Sequence, residues 1–206
     1  MLGQFERLLE TVPFSAELPG FSELFIRAVD PTETSLVERD LRGQPLDAAR
    51  VIELAREYEY ADSAYEVQAH WDLWTYDSGA ARWQSRPQRL GLICHGEEYD
   101  GGAYTDAGHF QADVGFEHLF TGHARLLGAS VASVAPPQHP AEDEFLAVMA
   151  RPENLCEYHQ KTRENIQTLM DWMRAIEEAL PVERCRLWSE GEENFEARLD
   201  DILALR

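Results

Sequence analysis

Hydrophobic positions recur at helical spacing over residues 2–10, where Leu2, Phe5, Leu8 and Leu9 share one face and Pro13 ends the run. The period then drops to two. Residues 23–29 and 34–39 alternate apolar and polar side chains around Asp30, Pro31, Thr32 and Glu33, which predicts a β-hairpin closed by a proline-containing turn. Helical spacing returns after Asp47, a good N-cap residue, with Val51, Leu54, Ala55 and Tyr58 on one side.

The centre of the chain carries the strongest strand pattern. Over residues 65–76, Tyr65, Val67, Ala69, Trp71 and Leu73 alternate with Glu66, Gln68, His70 and Asp72, so one face is core and the other is wet. Asp77, Ser78 and Gly79 close this strand, and residues 88–95 and 108–114 supply two more, joined by a loop over 96–107. Strands with short connections pair antiparallel, which predicts a meander. Residues 135–140, rich in proline, read as an extended connector. A helix over 141–150 opens on Glu142, Asp143 and Glu144, whose charge suits a helix N-terminus. A longer one runs from Pro152 to Leu180 with Leu155, Ile166, Leu169, Met170, Met173 and Ile176 on its apolar stripe. Residues 184–188 then read as an edge strand whose Trp188 packs, and about 192–205 as a last helix with Phe195, Leu199, Ile202 and Leu203 inside. The expected fold is one α+β domain over residues 1–206. An antiparallel sheet of about five to six strands is packed by N-terminal and C-terminal helices, the C-terminal ones covering mainly one face.

Composition supports a folded domain: 44% hydrophobic and 10% aromatic residues provide a core despite a formal net charge of -20. The acids are spread along the whole chain, and that field repels nucleic acid phosphate and anionic lipid alike. The densest base clusters, Arg82, Arg86 and Arg89, and the pair Arg184 and Arg186, are too small to form a groove-tracking stripe. No direct nucleic-acid or membrane binding is therefore expected; a basic protein is the complementary partner. Cys94, Cys156 and Cys185 are odd in number and scattered, which predicts reduced thiols and a cytoplasmic setting. The N-terminal residues lack the cationic flank and continuous apolar run of a signal peptide.

Fingerprints of the common nucleotide-binding, serine hydrolase, zinc protease and EF-hand sites are missing from the sequence. What remains is histidine and carboxylate on the strands. Alternation puts His70 and Asp72 on the wet face of one strand and His109, Gln111 and Asp113 on one face of another, with His95 at a strand end. If the faces coincide, His70, Asp72, His109 and Asp113 form an acid/base set, and His70, His95, His109 and Asp113 a metal set. That would suit a metal-assisted hydrolase. His118 and His123 lie five residues apart, an offset that misses a shared helix face. Trp74, Tyr76 and Trp83, the first two on the wet side and the third in the following turn, are the candidate binding aromatics, unless the C-terminal helices cover them. The leading expectation is a non-enzymatic acidic binding module without a cofactor, most concretely an immunity-protein-like or antitoxin-like inhibitor. The hydrolase is the alternative, and a small-molecule binder using the aromatic face is the third.

Overall fold

A computed structural model describes residues 1–44, 47–106, 108–123, 125–127, 139–189 and 194–204. Helix α1 (Leu2–Glu10) leads into β1 (Phe21–Ala28) and β2 (Val37–Asp40), followed by α2 (Ala48–Arg56). The long strands β3 (Ser63–Asp77) and β4 (Arg82–His95) come next, then the short β5 (Phe110–Asp113). Helices α3 (His118–Thr121), α4 (Pro140–Met149), α5 (Pro152–Ala179) and α6 (Phe195–Ala204) complete the described α-helices. The five strands form a single antiparallel sheet in the order β2-β1-β3-β4-β5, an α+β fold as expected.

Local chemistry explains the boundaries. The Asp47 carboxylate accepts the Arg50 backbone N–H at 2.9 Å and caps α2. His139 caps α4 in the same way, its ring nitrogen accepting from the Ala141 backbone, with Pro140 in the first turn where a missing N–H costs nothing. Two expectations need correction. Residues 184–188 carry no ladder pairing and are irregular, leaving Trp188 59% exposed rather than packed. Strand β2 begins at Val37, because the turn after Asp30 runs longer than the alternation implies. The connector over 135–140 falls outside the described residues up to its last two positions, His139 and Pro140.

The chain divides into two compact units, and the division falls within β3, β4 and α5. The first comprises Met1–Asp72, Arg86–Gly115 and Trp172–Val182. Its core uses one face of the sheet: Leu24 and Ile26 lie opposite Val67 and Tyr65, with Ala69, Trp71, Leu90, Leu92 and Cys94 also buried. Phe5 of α1 stacks parallel on Phe110, centroids 6.1 Å apart, and Trp172 meets Trp71 at 5.7 Å and 62°. The Trp172 indole N–H donates to Thr11 Oγ1 at 3.1 Å, and the Thr11 hydroxyl donates on to Leu8 O at 2.7 Å. Burial pushes the Cys94 thiol up to about 12, so it is inert at neutral pH. All three cysteines are free.

The second unit comprises Leu73–Ser85, Phe116–Asp171 and Glu183–Arg206. Asn165 of α5 is its polar pin. Only 2% exposed, it accepts the Trp74 backbone N–H at 2.7 Å and donates to the carbonyls of Trp74 and Leu119, both at 3.0 Å. Asn165→Ala leaves three backbone groups without their side-chain partner, so a loss of about 2 kcal/mol is expected in chemical denaturation, with Asn165→Leu no better. Unchanged stability would show that water replaces the amide. Tyr76, Trp83, Phe145 and Tyr158 pack around one another with centroids 5.6 to 6.2 Å apart.

Candidate functional site

Among the described residues, the strand residues named as candidates form no group that could hold a metal ion. Alternation does put His70, Asp72, His95, His109 and Asp113 on the second face of the sheet, and the Glu66–Arg89 ion pair at 3.4 Å crosses from β3 to β4 on that face. Distance along the strands is what separates them. Gly91 is the partner of Asp113, which sets that carboxylate four residues along β4 from His95, about 13 Å at the rise of a strand. Asp72 accepts the backbone N–H of Ala16 at 2.9 Å, and the His70 carbonyl accepts that of Ser15 at 2.7 Å, so this end of β3 anchors the chain after α1. Among the described residues no three His, Cys, Asp or Glu side chains gather as a metal would require. His118 is exposed, and His123 turns to Glu142, its Nε2 3.0 Å from the carboxylate. Gln68, assigned to the wet face, is 5% exposed and donates to Glu66.

The three aromatics lie under helices. Trp83 is the second residue of β4 rather than part of a turn, and it packs on Tyr158 of α5. Tyr76 contacts Phe145 of α4, and the Lys161 ammonium of α5 sits 3.5 Å above the Trp74 ring centroid while bonding Glu164 at 2.9 Å. All three keep partial exposure.

A different constellation stands at one end of the sheet in the first unit, where three loops over 29–36, 57–62 and 96–106 are stitched together by backbone bonds. Val29 N–H donates to Asp62 O at 2.9 Å, Glu98 N–H to Ala61 O at 2.8 Å, Gly96 N–H to Ser63 O at 2.8 Å and Asp100 N–H to Val29 O at 2.7 Å. The last of these bonds joins two residues in the left-handed region, Val29 at φ 73° and Asp100 at φ 51°. For a β-branched residue that conformation is costly, and it persists only because the neighbouring loops over-determine it. The result holds the Val29 side chain 54% exposed on the same three-loop end as Tyr60, 61% exposed.

The same loops are rich in carboxylates. Asp30, Glu33, Glu59, Asp62, Glu97, Glu98, Asp100 and Asp106 all lie in the three loops at exposed or half-exposed positions. The Thr32 hydroxyl and backbone N–H donate to Asp30 at 2.6 and 2.7 Å, holding its carboxyl below the usual range and ionised. No protein-family model, curated protein or solved structure matches the chain.

Beneath the platform lies His95, 4% exposed, with no hydrogen-bond partner on either ring nitrogen. Tyr104 covers it ring on ring at 3.6 Å and 1°, and Tyr99 tilts against it at 5.6 Å. His109, next to it across the β4–β5 pairing, puts Nδ1 3.1 Å from the His95 carbonyl. Burial pulls the His95 imidazole below its ordinary range. Alternation finds His95 and His109 but misses the platform, because its loops are distant in sequence. The available signals are the acidic, glycine-containing stretch over 97–106 and the valine directly before Asp30 and Pro31.

Proposed function

We propose that the chain is a non-enzymatic protein-binding module whose partner is a basic protein, engaged through the three-loop end of the sheet. An immunity-protein-like or antitoxin-like inhibitor is its most concrete form. One observation carries this reading: two large apolar side chains, Tyr60 and Val29, are held exposed on interlocked loops that also carry exposed carboxylates. A tyrosine anchor within a charged rim is the usual anatomy of an interaction hot spot, and loops already stitched to one another lose little entropy on binding. The net charge of -20 speeds encounter with a positive surface and works against phosphate and anionic lipid. No helix among the described residues is long and apolar enough to cross a membrane.

The chain used as bait in an extract of its source at low salt is expected to retrieve a basic protein, identified by mass spectrometry. Titration calorimetry with that purified protein should show affinity falling as salt rises. Tyr60→Ala, at an exposed position, should leave the fold intact and weaken binding by about 30-fold or more, the effect of removing a hot-spot residue. Failure to retrieve a basic protein, or an affinity indifferent to both salt and Tyr60, would overturn the proposal.

A further inference from the structure

We infer that His95 is an acid-sensitive keystone: when its ring takes up a proton, the loop over 96–106 releases from the end of the sheet and the platform above it comes apart. The opening follows from the geometry of His95 alone, whereas its consequence for a partner rests on the binding surface proposed above.

A buried imidazole usually has a partner on at least one nitrogen, and an orphaned one requires explanation. In its neutral form His95 is tolerated here as an aromatic plate, stacked under Tyr104. The protonated form has two N–H donors and a charge, and the closed loop shuts both nitrogens off from water. The surrounding groups offer little help. From the loop come the phenols of Tyr99 and Tyr104 and the more remote carboxylate of Asp100; from the other side come His109 and Gln111. Arg27 and Asp30 lie further out, beside Tyr99. Gln111 and Asp100 favour the charged ring, but desolvation, the largest effect, outweighs them, and His109 acts in the same direction as desolvation. Opening the loop gives the ring water, and solvation of its charge is what distinguishes the two states.

The loop is glycine-rich, with Gly96, Gly101 and Gly102, and it is tied to its neighbours by the N–H groups of Gly96, Glu98 and Asp100. The direction of the pH effect follows from linkage. The open state protonates near the ordinary histidine value of about 6.5 and the closed state only at lower pH, so the closed loop's advantage is complete above about 6.5. It is lost as the pH falls from there toward the closed-state value, and the opening constant rises up to about tenfold for each unit within that window.

Hydrogen exchange read by NMR on the isolated full chain tests this, with each amide corrected for its intrinsic rate. Between about pH 7 and about pH 5, protection at Gly96, Glu98 and Asp100 should fall several-fold, while Val67 and Ala69 in β3 stay protected. His95→Phe keeps the ring stack and removes the titration, so its loop protection should be flat with pH; His109→Gln should retain the wild-type response. A flat wild-type profile, or an undiminished response in His95→Phe, would overturn the keystone. Should His95→Phe fail to fold, the His95 ring signals of the wild type decide instead: titration at the ordinary value with the loop still protected overturns the inference, and titration only together with loop opening supports it. The binding proposal is tested separately by partner retrieval at neutral pH, so failure of either reading leaves the other standing.

Discussion

Trp71→Ala is expected to destabilise the protein by about 3 to 5 kcal/mol, the range for deleting a large aromatic from a closed core. Trp71 is fully buried on β3 and receives Trp172 edge-on at 5.7 Å. Truncation therefore removes its own transfer energy and also leaves Trp172 facing a cavity. Two links in the fold meet at that point. The Trp172 indole N–H is bonded to Thr11 at the C-terminus of α1, so a shifted Trp172 loosens the helix that packs Phe5 on Phe110. Urea unfolding should show a large drop in midpoint with little change in slope. A variant of wild-type stability would mean that Trp172 collapses into the space without loss.

Gly96→Ala should be nearly as damaging, at about 4 kcal/mol, although it adds a single methyl. A Cβ at Gly96 would stand 2.3 Å from the Ala61 carbonyl oxygen and 2.7 Å from that of Ser63. Both contacts are backbone, and neither can swing aside as a side-chain tip does. The chain must part from the 61–63 segment, forfeiting the bonds from Gly96 to Ser63 and from Glu98 to Ala61 at about 1 kcal/mol each, on top of the overpacking. Circular dichroism melts should show the loss, and loop amides should exchange faster than in the wild type even at neutral pH. Full protection in the variant would mean that the carbonyls relax more than close packing allows.

Much of this fold is legible in the sequence because the elements that matter most are periodic. The alternation over 65–76 identifies β3 and places Trp71 in the core, and the long apolar stripe bounded by Pro152 and Pro181 identifies α5. Short periodicity misleads. The five residues around Cys185 alternate with no strand to pair with, and Trp188 at their end stays largely in solvent.

The candidate site is legible only in part, for a reason of geometry. Period-two placement gives His70 and Asp72 one face of a strand and His109 and Asp113 one face of another, but a face extends along the strands as well as across them. Only pairings such as Gly91 with Asp113 reveal that separation. The platform depends on hydrogen bonds between residues 29, 61 to 63 and 96 to 100, and no local pattern encodes their meeting. The aromatic reading turns on whether helices cover Trp74 and Tyr76. Phe145 and Lys161 do so, and no local pattern in the sequence pairs them with Tyr76 and Trp74.

Lys161 carries a consequence of its own. It is the only lysine in the chain, and its ammonium lies against the Trp74 indole and the Glu164 carboxylate with 14% of its side chain exposed. Every other side-chain cation apart from histidine is a guanidinium, which neither acylates readily nor forms isopeptide bonds. Covalent chemistry that consumes a lysine amine therefore has a single side-chain address in this sequence, and reaching it requires α5 to give up its hold on Trp74.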